Sequence, residues 1–371
     1  MMLVAVVALA LVVMTWVGYP LVAALVASRR PPLSFGAPPH ASDRAVTVVL
    51  ATRESPRVVV DRVHDLLAST QPRHLLDVVV AVDVASPYAL ADYGAVLPTD
   101  VRVVAGDAPG GKATTLNAGV RAASTEILVF ADSAQRFAPA AIPELAHFLS
   151  NCDLGAVSGA YQTQDATGSP LLRGFWWLET RIRRAEARIH SLVAVTGAIY
   201  AIRKSLWRPL PPDLICDDLY VPLHVAAGGY RVGFCETAIA SDVRTFDRRQ
   251  EFSRKVRTLT GMLQVCGWCP WVLSPLANPL WLQFVFHKLL RLATPYLLLV
   301  GLSAGGWVLA QRGLGAEVAI ALSLLGIAVF AGPGAWAISL QAAPIVATFN
   351  AIRGRWSVWS MPAGRERPIP H

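Results

Sequence analysis

The balance of apolar and polar positions changes abruptly along this chain. From Met1 to Ser28 no side chain carries a charge, and Arg29-Arg30-Pro31-Pro32 follows at once. About 20 apolar residues cross the hydrocarbon core of a bilayer. The run is long, starts without positive charge and has its arginines behind it, which is not the order of a cleavable signal. It predicts a transmembrane anchor at 1–28 with Arg29 and Arg30 on the cytoplasmic side. The middle of the chain is built differently. Short β-branched runs at 45–51, 76–82, 101–104 and 126–130 read as strands, and 57–69, 114–123 and 219–227 have helical periodicity. Strands apolar on both faces and alternating with helices predict an α/β domain with a mainly parallel sheet over 45–265. An interfacial segment is expected at 266–291. Two transmembrane helices then follow within 292–340, one from Leu292 to Ala310 and one from about Val318 to Ile338. Gly332-Pro333-Gly334 should kink or end the second. Residues 341–371 read as an interfacial helix and a basic cytoplasmic tail carrying Arg353, Arg355, Arg365 and Arg367.

Composition narrows the function. The 371 residues are 54% hydrophobic, too apolar for an ordinary soluble enzyme, yet the middle is too charged for a membrane bundle. The net charge is +8, from 33 basic and 25 acidic side chains. The arginines lie beside the apolar ends and in a cluster at 244–257, so anionic lipid headgroups and a phosphorylated substrate account for them, and no nucleic-acid partner is expected. Five cysteines, at 152, 216, 235, 266 and 269, make no disulfide framework in a chain of this size. Cys266 and Cys269 have redox-motif or half-zinc-site spacing, but no second ligand pair follows and Trp268 and Trp271 adjoin them, which favours packing.

Glu54, Asp83 and Asp132 stand just beyond three predicted strands. Parallel sheets bind ligands at the carboxyl ends of their strands, and three acids on one edge exceed what capping requires. Gly106 to Lys112 also matches a phosphate loop, but Ala113 replaces its Ser or Thr, and the preceding strand ends at Val104. Only about 20 residues separate Lys112 from Asp132, so a phosphate-loop NTPase is set aside.

The series Leu50-Ala-Thr-Arg-Glu54, Asp83-Val-Ala-Ser86, Gly111-Lys-Ala-Thr-Thr-Leu-Asn117 and Phe130-Ala-Asp132 resembles the family 2 glycosyltransferases of the GT-A fold. The resemblance continues through Thr196 to Arg203, Cys216-Asp217-Asp218, Gly229-Tyr-Arg-Val232 and Glu251 to Gln264. It implies that Glu54 and Asp83 meet the base and ribose of a nucleotide-diphosphate sugar, and that Lys112 meets its phosphates. Asp218 would be the general base with Asp217 beside it, Thr196 and Gly197 would face the acceptor, and Arg254 and Arg257 would contact diphosphate. Asp132 begins the family's metal motif, but Ala134 stands at the second aspartate, leaving Mg²⁺ or Mn²⁺ to one carboxylate, substrate phosphates and a donor such as Gln135. Thr258 stands where the family usually has Trp. The expected function is an inverting transfer to a lipid-linked or glycan acceptor at the cytoplasmic face of the plasma (inner) membrane, among membrane lipids and polysaccharide-assembly partners. The alternative is a catalytically weak subunit that binds nucleotide sugar within such an assembly.

Overall fold

The structure, a computed structural model, describes residues 1–31, 44–163, 170–242, 244, 247–317, 320 and 340–356. Its strands are β1 Val46–Thr52, β2 Leu76–Val82, β3 Arg102–Ala105, β4 Ile127–Ala131, β5 Gln135–Phe137, β6 Leu154–Thr163, β7 Ile199–Arg203 and β8 Arg231–Asp242. Its helices are α1 Met2–Ser28, α2 Pro56–Leu67, α3 Leu90–Gly94, α4 Lys112–Ala122, α5 Ala141–Phe148, α6 Pro170–Ile189, α7 Asp217–Ala227, α8 Arg248–Trp268, α9 Trp281–Gln311 and α10 Ala343–Ile352.

The strands form one eight-stranded sheet in the order β3-β2-β1-β4-β7-β6-β8-β5. β3, β2, β1 and β4 run parallel, β7 is antiparallel to β4 and β6, and β8 is parallel to β6 and antiparallel to β5. Side chains alternate across the pleat. Val46, Val48 and Leu50 therefore enter the core beneath α2 and α5, while Val49 enters the core shared with α4, α7 and α8. Both faces are covered, so these strands read as unbroken apolar runs in the sequence. The chain steps outward from β1 to β2 and β3, then returns to β4 on the other side of β1. Sheets of this kind bind ligands in the crevice at such a reversal, outside the carboxyl ends of the flanking strands, here β1 and β4 with Glu54 and Asp132 just beyond them.

Helices α1 and α9 are each long and apolar enough to cross a membrane; most apolar side chains of α1 are exposed, and few of those on α9 are fully buried. They meet along a seam of small residues, Ala8 against Gly301 and Ala5 against Gly305, which lets the backbones approach closely. Helix α9 begins at Trp281 rather than at 292, so much of the expected interfacial segment is its first turns. The sequence pattern hid this because His287, Lys288 and Arg291 interrupt the apolar run, while in three dimensions they turn toward α6 and α8. The expected helix near 341 is α10, which packs on α8. The expected span at 318–338, its Gly332-Pro333-Gly334 break and the tail arginines Arg365 and Arg367 lie outside the described residues.

Candidate active site

Asp83 follows β2 and is almost fully buried. Its carboxylate accepts from Arg53 Nε at 2.8 Å, Gly111 N at 2.8 Å and Ala85 N at 2.9 Å. A carboxylate has about four acceptor positions, so little of Asp83 is left for a ligand and most of it fixes the loop before α4. Glu54 follows β1 and its side chain is exposed at the rim. Its carbonyl accepts from Tyr93 Oη at 2.6 Å, which pins the turn.

The densest cluster lies one strand further along. Lys112, at the start of α4, places Nζ 3.2 Å from Asp132 Oδ1 and 3.5 Å from Asp217 Oδ1. A methyl group on Gly197 would stand 3.4 Å from Asp218 Cβ and 3.8 Å from Lys112 Nζ, so the missing side chain keeps that side of the carboxylate open. Asp217 and Asp218 are the first two residues of α7 rather than its cap, which is Cys216 and makes no side-chain capping bond. Asp217 Oδ2 is buried without a partner among the described residues. Burial, with the neighbouring charge of Asp217, pushes the Asp218 carboxyl up to about 6 against the opposing charges of Lys112, Lys288 and Arg257. Burial also raises Asp217. For Lys112, burial works against the charged form, but Asp132, Asp217 and Asp218 outweigh it and hold the ammonium above the ordinary lysine range.

Helix α8 supports this cluster from behind. Gln264 Oε1 accepts from Ile215 N and Gln264 Nε2 donates to Asp213 O, each at 3.0 Å, and Cys216 Sγ donates to Thr258 O at 3.4 Å. Arg257 is half-buried on α8, and its charge reaches Asp218. Arg254, one turn earlier, pairs with Glu251 at 3.4 Å and acts on Tyr161 instead. Thr196 is a fastener: its N–H donates to Ser158 Oγ at 2.8 Å and its hydroxyl to Gly159 O at 3.0 Å. The structure thus gathers Lys112, Asp132, Asp217, Asp218, Gly197 and Arg257. It leaves Glu54 and Asp83 along the crevice and Arg254 further out.

Gln135 does not face Asp132. It is buried, and its Nε2 donates to Asp242 Oδ2 at 2.8 Å across the β5–β8 pair. Ala134 offers no ligand, and among the described residues no three His, Cys, Asp or Glu side chains gather as a metal site. Asp132, with 37% of its side chain exposed, is the carboxylate that faces the crevice. One carboxylate suits an ion that brings most of its ligands as diphosphate oxygens and water. Cys269 is buried in the apolar core with Val272, and Cys266 packs against that core.

Sequence reading missed three arginines. Arg53 holds Asp83; buried Arg62 donates from Nε to Asp132 O at 3.0 Å, setting the backbone after β4; Arg183 on α6 donates to Ser158 Oγ at 2.6 Å beneath Thr196. Arg62 left a trace as a charge among the apolar positions of α2, and Arg53 lies inside the Leu50–Glu54 motif, which gave it no role of its own.

The family profile described as glycosyltransferase-like family 2 matches residues 43–261. Among curated proteins, the O-antigen chain rhamnosyltransferase RfbN of Salmonella typhimurium is 27% identical over 171 residues. That match covers 43% of this chain and 51% of RfbN, so the chain spans about half the length of that relative. Among solved structures, the mannosyltransferase PcManGT from Pyrobaculum calidifontis, in complex with GDP-Man and Mn²⁺, superposes with a TM-score of 0.73 at 21% identity. The superposition covers 95% of this chain and 99% of PcManGT, so the shared fold extends beyond the α/β domain into the flanking helices. Glucosyl-3-phosphoglycerate synthase from Mycobacterium tuberculosis gives a TM-score of 0.41 at 17% identity over 61% of this chain and 79% of that one.

Proposed function

The chain belongs to glycosyltransferase-like family 2, and from that premise we propose that it is an inverting, membrane-anchored transferase acting at the cytoplasmic face of the plasma membrane. It moves a sugar from a nucleotide-diphosphate donor to a lipid-linked glycan acceptor during polysaccharide or glycolipid synthesis. The observation that carries the reading is Asp218, a carboxylate raised to about 6 beside Gly197 and near the Lys112–Asp132 pair. A base is most effective when its pKa lies near the working pH.

In this reading the donor lies along the crevice, with its base and ribose toward Glu54 and Asp83 and its diphosphate toward Lys112 and Asp132. Asp132 would hold a Mg²⁺ or Mn²⁺ ion that arrives with the diphosphate and screens its charge when bound. Asp218 takes the proton of the acceptor hydroxyl. The hydroxyl oxygen then bonds to the anomeric carbon as the carbon–oxygen bond to the diphosphate breaks, which inverts that centre. Lys112 and Arg257 offset the charge that collects on the leaving group. Asp217 keeps the proton affinity of Asp218 high. The exposed apolar surfaces of α1 and α9 favour their crossing the bilayer, which sets the catalytic domain beside an acceptor anchored in the same membrane.

The test is donor-dependent release of nucleoside diphosphate by the purified full-length protein, across a panel that includes GDP-mannose and a rhamnosyl nucleotide. Wild type should release product with one donor, and Asp218→Asn should not. Equal release from both would remove Asp218 from the mechanism. No release from either with any donor, despite donor binding, would favour the catalytically weak assembly subunit.

A further inference from the structure

Beneath the catalytic cluster, where α6, α8 and α9 meet, several cations gather and some of their buried donors make no hydrogen bond among the described residues. Arg291 Nη1 donates to Glu179 Oε2 at 2.7 Å and its guanidinium lies 4.9 Å from the centre of the Trp16 ring, but its Nε and Nη2 are buried and have no hydrogen-bond partner among the described residues. Arg183 Nε is likewise buried without a hydrogen-bond partner, although its Nη2 reaches Ser158 and its guanidinium lies 4.9 Å from the centre of the Phe234 ring. Lys255 of α8 is half-buried with its Nζ 5.8 Å from the centre of the Phe175 ring. Burial, together with the charges of Lys288 and Arg291, pushes its ammonium below the ordinary lysine range. The carboxylates whose charge reaches these cations are Glu179, Glu186, Glu251 and the candidate base Asp218, and the three glutamates are already engaged. Glu186 accepts from Tyr19 Oη at 2.5 Å and lies 2.8 Å from His287 Nδ1. Glu179 lies 3.0 Å from His287 Nε2 and also holds Arg291, and Glu251 faces Arg254.

A buried guanidinium N–H left without an acceptor is costly, so an anion that reached these leftover donors would be held by them. Phosphate oxygens match the forked guanidinium geometry, and lysines add charge. The position is informative too. Lys288 stands in the first turns of α9, and its charge reaches both Glu179 and Asp218. The cations therefore lie between the foot of an apolar helix and the candidate base.

Resting on the transferase reading, we propose that Arg183, Lys255, Lys288 and Arg291 form a subsite for the phosphate or diphosphate headgroup of the lipid that carries the acceptor sugar. The lipid tail runs beside α9, the headgroup oxygens meet the leftover donors, and the sugar hydroxyl points at Asp218. The subsite is separate from the donor crevice, where Lys112 and Asp132 hold the other diphosphate.

Farnesyl diphosphate is the probe, and its binding is measured on full-length protein in phosphatidylcholine nanodiscs. The wild type should bind it, Lys255→Gln/Lys288→Gln should weaken binding by about tenfold or more, and Lys255→Arg/Lys288→Arg should restore it to within about threefold. Inorganic pyrophosphate in excess should compete, while UDP and GDP, which fill the donor crevice, should not. Undiminished binding by the Gln variant would overturn the proposal. So would displacement by the nucleoside diphosphates, failure of pyrophosphate to compete, or equal occupancy by phosphatidylglycerol placed in the disc, which would mark a general phospholipid contact. Donor-dependent product release, assayed on the same preparations, reports separately. Release without probe binding sinks the subsite alone, and probe binding without release sinks the transferase reading alone.

Discussion

At the strand ends, Asp83 receives hydrogen bonds from Arg53, Ala85 and Gly111, all on loops that the parallel sheet brings to one edge. At the junction beneath, Glu186 is shared by Tyr19 and His287, which lie 167 and 101 residues away in the chain. The first arrangement joins loops that the βα repeat already delivers to one edge. The second exists only once α1, α6 and α9 have docked. The strand-end region spends its polar groups on one another and leaves a crevice with one densely charged corner. The junction ties the α/β domain to both apolar helices and still has guanidinium donors left over. A chain that needed only a mechanical joint here could have used apolar packing, which is often as stable as buried ion pairs.

The contrast predicts that damage in the two regions will be felt in different measurements. Asp218→Asn should lower the transfer rate by about 10²–10⁴-fold, the usual contribution of a positioned base, with the protein still folded. For wild type, the rate should rise with pH through about 6 as Asp218 loses its proton. A rate flat from pH 5 to pH 8 would remove this group as the base. Glu186→Ala should act in the opposite sense. It leaves His287 and Tyr19 facing each other without their shared acceptor, and breaking such a buried network costs about 3–5 kcal/mol. Chemical or thermal unfolding in detergent would register that loss. If Glu186→Ala proved as stable as wild type, the junction would not be the joint described above.

The same contrast explains what the amino-acid sequence disclosed. Glu54, Asp83 and Asp132 were legible because each ends an apolar run, and a parallel sheet sends such residues to one edge. Asp217-Asp218 was legible from its neighbours in the resemblance. Nothing local in the sequence pairs Arg62 with the carbonyl of Asp132, 70 residues on, or Glu179 with Arg291, 112 residues on. Those contacts depend on how helices dock, which periodicity does not encode. Gln135 was misplaced for a related reason. It sits beside Ala134 in the chain, but the β5–β8 pairing turns its amide to Asp242. The early start of α9 was hidden by His287, Lys288 and Arg291, although charges at the head of an apolar run are themselves a sign of function.

A smaller effect sharpens the division between site and joint. Asp218 holds its proton more tightly in the folded protein, about 6 against an ordinary 3.8, so folding is favoured below the lower value. That advantage is lost as the pH rises through the folded value. At neutral pH the ionised carboxylate is therefore a burden on stability, on the order of 3 kcal/mol before its coupling to Asp217 is allowed for. Asp218→Asn should unfold later than wild type at pH 7.5, and the gain should fade near pH 4. An inactive variant more stable than its parent fits a catalytic carboxylate held at a cost. A variant destabilised at every pH would make Asp218 a structural residue instead.

Helix α8 belongs to both regions, since Lys255 faces the junction while Gly261 and Gln264 back the loop that carries Asp217 and Asp218. A methyl group at Gly261 would stand 2.5 Å from Cys216 Sγ and 2.8 Å from Ile215 Cβ, too close for the loop to stay where it is. Gly261→Ala removes no charge and no hydrogen bond, and overpacking of this kind costs about 1–3 kcal/mol. Ala also favours the helix over Gly by about 1 kcal/mol, so the net loss of stability should be near 1 kcal/mol. The displacement falls on the residues just before the base, so turnover should fall by more than this small instability accounts for, with donor binding little changed. Farnesyl diphosphate binding at the junction should also persist, because Lys255 lies almost two turns away on another part of the helix. If turnover and both binding steps fell together, α8 would be transmitting the strain along its length, and the two regions would be a single mechanical unit.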